Sequence, residues 1–226
     1  MSEGFTRFMA EQVLQGKERA TIALSGGSTP KTLFDYWGRH KTALNWDRLL
    51  FFWGDERCVP PDDSESNYGM TCRHLFDHVA VPPENIFRIK GENDPEKEAL
   101  RYSEVLSGRL AVENDVPTFD LVMLGLGDDG HTVSIFPAQI GLWNSPANCI
   151  ASAQPETGMK RVSITGKIVN HARQAAFLVT GRNKADSVRN IIRQRDKFMT
   201  AYPAARVCPL SQEIHWFLDE QAAEGL

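Results

Sequence analysis

The sequence has 226 residues, of which 42% are hydrophobic and 24% are charged, so it can bury an apolar core and is too apolar for a disordered chain. Its formal net charge of −4 has the wrong sign for a protein that holds nucleic acid through many phosphate contacts. No apolar run reaches the length of about 18 residues that a membrane span needs. We therefore expect a soluble globular protein with no nucleic-acid or membrane partner.

The N-terminal segment predicts an amphipathic helix that ends near Gly16. One helical face carries its apolar residues, which are Phe5, Phe8, Met9, Val13 and Leu14. This spacing differs from the unbroken apolar core of a secretory signal peptide. The four cysteines show neither disulfide nor zinc-finger spacing. We therefore expect a cytoplasmic protein with free thiols.

Three continuous apolar runs predict buried strands of a parallel sheet, at residues 20–24, 49–53 and 119–124. Helical patterns separate these runs, and further patterns of both kinds follow. The predicted helices cover residues 31–39, 95–112 and 184–193, and the later strands cover residues 161–165, 175–180 and 214–218. This alternation predicts an α/β fold with a mostly parallel, Rossmann-like sheet flanked by helices. No linker interrupts the pattern, so residues 1–226 are expected to form a single domain.

The first predicted strand is followed by Ser-Gly-Gly-Ser-Thr-Pro at residues 25–30. Thr29 suits the N-cap of the next helix and Pro30 its first turn. Glycine amides, hydroxyl donors and a helix N-terminus together favour a phosphate-binding loop, with an ordinary capped helix start as the alternative. No Gly-Lys-Ser/Thr follows, so this is not a Walker A loop. The candidate binding residues are Gly26, Gly27, Ser28 and Thr29.

The second strand is followed by a charged loop that contains Asp55, Glu56 and Arg57. Two acids and an arginine at a strand end indicate either a cluster facing the substrate or a solvated loop with an internal ion pair. The planar guanidinium group of Arg57 suits two-point contact with a phosphate or a carboxylate.

The third strand is followed by a glycine-rich loop at residues 125–137, which begins Gly-Leu-Gly-Asp-Asp-Gly-His. The Gly-x-Gly-x-x-Gly spacing is typical of dinucleotide binding. Pro137 limits any helix here to about two turns, and no acidic residue follows at the end of a second strand for the ribose. We therefore expect no nicotinamide cofactor.

His131 in this loop is a candidate acid–base group, with Asp129 close enough in sequence to orient its ring. The alternative is a histidine that only caps a short helix. Asp128, Asp129 and His131 could also bind a divalent metal, but no further residues at ligand spacing support this. No metal site is predicted.

Together these loops resemble the 6-phosphogluconolactonase family, part of the glucosamine-6-phosphate isomerase/6-phosphogluconolactonase superfamily. The resemblance rests on Ser-Gly-Gly-Ser-Thr-Pro at residues 25–30, Asp-Glu-Arg-x-Val-Pro at 55–60, Ser-Asn at 66–67, and Gly-Leu-Gly-x-Asp-Gly-His-Thr-x-Ser-x-Phe-Pro at 125–137. Matching blocks at 161–165, 181–185 and 203–206 extend it over almost the whole chain.

The resemblance implies a three-layer α/β/α fold and hydrolysis of 6-phospho-D-glucono-1,5-lactone to 6-phospho-D-gluconate, the second step of the oxidative pentose phosphate pathway, without a cofactor. It implies that His131 activates the water and that Asp129 supports it. A δ-lactone is an activated ester, so a positioned water, a base and oxyanion donors are enough for the reaction.

The resemblance also implies that the loop at residues 26–29 and Lys184 hold the phosphate group. Arg57 would either contact the phosphate or stabilise the oxyanion, and Arg161 and Asp55 complete the predicted substrate-binding set. The expected partner is this small phosphorylated lactone, and the expected assembly is a monomer or a small homo-oligomer.

Two other functions stay open. A glucosamine-6-phosphate deaminase or isomerase would have similar loops, but that family has a glutamate before the proline of the third block, where this sequence has Phe136. A non-catalytic regulator that binds sugar phosphates would keep the phosphate loop, but it would not need His131 together with Asp129 and Arg57. No DNA-binding module accompanies the predicted domain, which also argues against a regulator.

Overall fold

The computed structural model describes residues 1–226 and contains eleven strands. In chain order they are β1 (Ala20–Leu24), β2 (Leu49–Trp53), β3 (Asp55–Arg57), β4 (Ile86–Phe87), β5 (Ala111–Glu113), β6 (Val116–Thr118), β7 (Leu121–Leu124), β8 (Cys149–Ala153), β9 (Lys160–Ile164), β10 (Gln174–Val179) and β11 (Ile214–Leu218). The α-helices are α1 (Ser2–Phe8), α2 (Ser28–Arg39), α3 (Asn67–Thr71), α4 (Pro95–Arg109), α5 (Gly166–His171) and α6 (Ala185–Phe198).

Shorter helical turns extend or connect these elements. Met9–Val13 and Cys72–Phe76 continue α1 and α3 as π-helical turns. Turns of 3-10 helix lie at Trp46–Arg48, Pro83–Asn85, Pro137–Asn144, Arg182–Lys184 and Pro203–Arg206. None of the helices is long and apolar enough to cross a lipid bilayer.

Six strands form a central sheet in the order β11-β10-β7-β1-β2-β4, and every neighbouring pair runs parallel. From β1, the chain moves to β2 on one side and later to β7 on the other. The chain direction across the sheet therefore switches at β1, and open α/β sheets bind ligands beyond the carboxyl ends of the strands at such a switch point. The loops after β1, β2, β7 and β10 all leave this edge.

The expected α/β fold with a mostly parallel sheet and flanking helices is confirmed. Residues 20–24, 49–53 and 214–218 are strands with the predicted bounds. Most side chains of these strands and of β7 are apolar because helices cover the sheet, and the core residues of β1, β2 and β7 are almost completely buried.

The predicted strand at 161–165 is not part of the central sheet. As β9 it lies between β3 and β8 in a separate antiparallel sheet of three strands. The order of apolar and polar residues in β9 does not specify which partner it pairs with, because pairing depends on contacts distant in sequence.

Three predicted helix boundaries are wrong. Gly27 is the N-cap of α2, so Thr29 lies inside the helix, and its hydroxyl is bonded to Thr180 Oγ1 at 2.7 Å instead. The helix predicted at 95–112 ends at Arg109, because the following residues are extended and form β5. A tight turn at residues 114 and 115, both with positive φ, pairs β5 with β6. The last predicted helix begins at Ala185 and continues to Phe198 with a break at Gln194.

Candidate active site

A cleft of about 220 Å³ lies at the switch point, beyond the carboxyl ends of the central strands. Nine of the ten predicted site residues line it: Gly26, Gly27, Ser28, Thr29, Asp55, Arg57, His131, Arg161 and Lys184. The tenth, Asp129, does not line the cleft but contacts His131. The structure therefore brings together residues from five separate segments of the chain, two of which are the strands β3 and β9.

The turn between β1 and α2 presents the start of a helix to the cleft. Gly27 has a φ of 101°, a left-handed conformation that glycine adopts without strain, and no side chain caps the first turn of α2. The N–H groups of this turn have no partners within the helix and carry its positive dipole end. Gly26 also requires glycine, because a Cβ there would lie 1.8 Å from Asn67 Oδ1. This loop can hold an anion.

Asp129 fixes the orientation of the His131 ring. One carboxylate oxygen, Oδ1, lies 2.6 Å from His131 Nδ1 and accepts a bond of 3.0 Å from its backbone N–H. Partial burial raises the pKa of Asp129, but the bonds and charge of His131 outweigh burial and leave that pKa below its ordinary value. An ionised Asp129 accepts the proton of Nδ1, so in the neutral ring Nε2 has the free lone pair. That nitrogen can act as a base.

The turn that carries this pair depends on Gly130. Its φ is +84°, and a Cβ at this position would lie 2.4 Å from the Tyr202 side chain. The Gly130 N–H donates to the Gly127 carbonyl at 3.0 Å, and the Gly127 N–H donates to the His131 carbonyl at 2.9 Å. These bonds close a tight turn, and no helix follows it before Pro137. His131 is therefore not the cap of a short helix.

Arg57 and Arg161 lie directly opposite each other on the antiparallel strands β3 and β9. Burial lowers the pKa of Arg161, and the charge of Arg57 lowers it further, although Asp55 opposes this. Both Nε atoms are buried without a hydrogen-bond partner. Arg57 Nη1 also lies 3.7 Å from Glu65 Oε2, an exposed carboxylate that does not line the cleft. Among the lining residues these two cations face one carboxylate, Asp55, and this excess of positive charge favours an anionic ligand.

Asp55 is almost fully buried beneath these arginines. Its Oδ2 accepts a hydrogen bond of 2.5 Å from Ser134 Oγ and lies 3.7 Å from Arg161 Nη1. Asp55 lines the cleft, but its carboxylate contacts other protein groups. These contacts help to hold Arg161 in place.

The neighbouring Glu56 does not line the cleft. Its carboxylate accepts bonds from the N–H groups of Arg57, Asn67 and Tyr68 and from the Ser66 hydroxyl. Burial raises the pKa of Glu56, and the backbone bonds oppose this. These bonds hold the start of α3 against β3, which is a structural contribution.

Lys184 lines the cleft, and its ammonium group pairs with Asp128. Asp128 is therefore paired with Lys184, whereas His131 is paired with Asp129. No group of three or more His, Cys, Asp or Glu side chains in the structure is arranged to hold a metal ion. Asp128, Asp129 and His131, the possible metal ligands considered from the sequence, therefore do not form such a group.

The sequence interpretation did not assign Thr180 or Val133, and both line the cleft. Thr180 follows β10, so the rule that ligands lie beyond strand ends could have indicated it. Val133 has a φ of 47°, which is unusual for a β-branched residue, and no pattern in the sequence predicts this conformation.

Residues 4–216 match the family model described as glucosamine-6-phosphate isomerases/6-phosphogluconolactonase. The chain belongs to this family. It is 44% identical over 207 residues to a 6-phosphogluconolactonase from Haemophilus influenzae, an alignment that covers 91% of this chain and 87% of that protein.

Solved structures also resemble the fold. A 6-phosphogluconolactonase from Trypanosoma cruzi superposes with a TM-score of 0.86 at 29% identity, covering 100% of this chain and 92% of the other. A monomeric glucosamine-6-phosphate deaminase superposes with a TM-score of 0.80 at 21% identity, covering 98% of this chain and 94% of the other. The second likeness concerns the fold alone, so the two activities must be distinguished at the site.

Proposed function

We propose that this protein is a 6-phosphogluconolactonase, a carboxylic ester hydrolase that converts 6-phospho-D-glucono-1,5-lactone to 6-phospho-D-gluconate. The observation that carries this proposal is the His131–Asp129 pair, which leaves one imidazole nitrogen free beside a cleft with net positive charge. The family and its lactonase relatives support the choice of substrate.

In the reaction we propose, His131 Nε2 takes a proton from a water molecule as the water oxygen attacks the lactone carbonyl carbon. The carbonyl oxygen becomes an oxyanion in a tetrahedral intermediate. When the carbonyl re-forms, the bond to the ring oxygen breaks, and the imidazolium ion returns the proton to that oxygen. Asp129 stabilises the imidazolium ion. Acid–base assistance of this kind contributes about 10²- to 10⁴-fold.

The anionic groups of the substrate would be held by separate parts of the cleft. The N–H groups and hydroxyls of Gly26, Gly27, Ser28 and Thr29, together with Lys184, suit the phosphate. Arg57 and Arg161 supply the remaining positive charge, either to the phosphate or to the oxyanion, and Asp55 keeps Arg161 in place.

Phe136 favours hydrolysis over deamination. Its ring is 2% exposed and lies 4.6 Å from the His131 ring, so an apolar side chain occupies the position where deaminases have glutamate. The same His131–Asp129 pair disfavours a non-catalytic regulator, because a protein that only binds sugar phosphates does not need a base. We further propose that residues 1–226 act as a single cytoplasmic domain, as a monomer or small homo-oligomer, without a cofactor.

The test is hydrolysis of freshly generated 6-phosphogluconolactone by the purified protein. We expect faster hydrolysis than in buffer, no effect of EDTA, and no release of ammonia from glucosamine 6-phosphate. Ammonia release without lactonase activity would support the deaminase instead. Loss of activity with EDTA and its recovery with a divalent ion would refute the metal-free mechanism.

A further inference from the structure

Asp128 connects the turn that carries His131 to the segment that carries Lys184. Its Oδ1 pairs with Lys184 Nζ and accepts a hydrogen bond of 2.8 Å from Asn183 Nδ2. Its main-chain carbonyl accepts a further bond of 3.3 Å from Ser187 Oγ. Three contacts therefore join this one residue to α6 and to the turn that precedes it.

Of these two paired residues, Lys184 is the one at the cleft. Lys184 lines the cleft and its side chain is 20% exposed, whereas Asp128 does not line it and its side chain is 67% exposed. A lysine side chain has a flexible four-carbon stem, so an unpaired ammonium group would occupy many positions. The pair with Asp128 restricts these positions to the edge of the cleft.

We propose that Asp128 is a positioning residue that holds the Lys184 ammonium group where the substrate phosphate binds; this inference rests on the proposed function. An ammonium group has three donors. Lys184 can therefore keep its bond to Asp128 and donate a second bond to a phosphate oxygen. Asp128 itself faces solvent, which screens its repulsion of the phosphate, so its effect on the position of Lys184 dominates.

The experiment measures KM and kcat of Asp128→Ala and Asp128→Asn on 6-phosphogluconolactone and on unphosphorylated gluconolactone. For Asp128→Ala we expect KM for the phosphorylated lactone to rise about two- to fivefold, the effect of losing a solvent-screened ion pair, with kcat nearly unchanged. Asp128→Asn should recover part of this loss, because its amide oxygen still accepts a bond. Neither change should affect hydrolysis of the unphosphorylated lactone.

Two comparisons separate positioning from a general structural effect. Asp186→Ala removes another carboxylate near the start of α6, one that is 79% exposed and pairs with Arg189, and it should leave KM unchanged. In a Lys184→Ala background, Asp128→Ala should have no further effect on KM, because its partner is gone. An equal rise in that background would overturn the inference.

An unchanged or lowered KM in Asp128→Ala would also overturn it, as would an equal rise for the unphosphorylated lactone. A wild-type protein that does not hydrolyse the phosphorylated lactone would refute the proposed function separately. The same variants would then be compared for binding of 6-phosphogluconate by calorimetry. Weaker binding by Asp128→Ala would support the positioning role, and equal Kd values would overturn it.

Discussion

At the scale of single residues, the chemistry of His131 depends on two contacts of different kinds. Asp129 accepts the Nδ1 proton at 2.6 Å, and the Phe136 ring packs against the imidazole at 4.6 Å. The first contact fixes the tautomer, and the second places an apolar ring beside the imidazole, where deaminases have a glutamate. The sequence could predict the pairing, because Asp129 and His131 are two residues apart, but it could not predict which nitrogen stays free.

We expect His131→Ala to lower kcat by about 10²- to 10⁴-fold with a smaller change in KM, because the general base is lost while the phosphate-binding loop is untouched. Asp129→Asn should show a smaller loss of the same kind, since it weakens only the support for the ring. Steady-state kinetics, corrected for spontaneous lactone hydrolysis, measure both effects.

The assignment of the base is contradicted if His131→Ala keeps a near-normal kcat after the same correction. That result would show that another group is the base, with Asp55 the next candidate in the cleft.

Lys184→Ala is expected to raise KM for 6-phosphogluconolactone far more than KM for gluconolactone. A hydrogen bond from a charged group to phosphate contributes about 1.5–3 kcal/mol, and only the phosphorylated substrate makes it. Parallel kinetics on the two lactones measure the difference. Equal effects would place Lys184 at the lactone end or show that it is structural.

At the scale of elements, the site is built from loops at the ends of parallel strands, and the sequence predicted three of them because a buried strand precedes each one. The small sheet of β3, β9 and β8 was not predictable in this way. It places Arg57 opposite Arg161, residues that are more than 100 positions apart in the chain. Such pairing depends on the folded arrangement rather than on a local pattern.

The turn between β1 and α2 gives a prediction at this scale. In Gly26→Ala the new Cβ would lie 1.8 Å from Asn67 Oδ1, and Asn67 is 2% exposed and donates to the Asp55 carbonyl at 2.9 Å. Asn67 must therefore shift and lose that bond, which costs about 2–4 kcal/mol of unfolding free energy. Urea unfolding measures this loss, and KM for the phosphorylated lactone should also rise.

Gly108→Ala is the matched control, because Gly108 lies in α4 and no atom is within 4 Å of the added Cβ. We expect unchanged stability or a gain of up to about 1 kcal/mol from the better helix propensity of alanine. A Gly26→Ala variant as stable as this control would mean that the contact with Asn67 relaxes without cost.

At the scale of the whole molecule, the order of apolar runs was enough to predict a parallel sheet, because only covered strands are apolar on both faces. The ion pairs at the opposite edge of that sheet were not predicted. Asp120 precedes β7 and bonds Lys17 Nζ at 2.5 Å, Arg173 Nη1 at 2.6 Å and the Thr21 backbone N–H at 2.8 Å. These contacts join residues distant in sequence at the amino ends of the strands, away from the cleft.

Asp120→Asn should therefore lower stability without changing kcat or KM. Burial alone raises the pKa of Asp120, but Lys17, Thr21 and Arg173 outweigh burial and lower that pKa below its ordinary value. Loss of the charge leaves Lys17 without its carboxylate partner and leaves Arg173 with Glu113 alone. Because both cationic side chains are about one-third exposed, we expect a loss of about 2 kcal/mol, less than for a fully buried pair.

The pH dependence of this loss follows from the direction of the shift. A carboxylate whose pKa is lowered by folding contributes stability that is present above its unfolded pKa of about 3.9 and is lost as pH falls through the lower folded value. The stability difference between wild type and Asp120→Asn should thus be constant from about pH 5 to 8 and shrink below about pH 4. Urea unfolding across this range measures it, with Asp196→Asn, an exposed site on α6, as the control. A difference that persists undiminished at about pH 3, or an equal loss in Asp196→Asn, would show that the Asp120 charge does not stabilise the fold in this way.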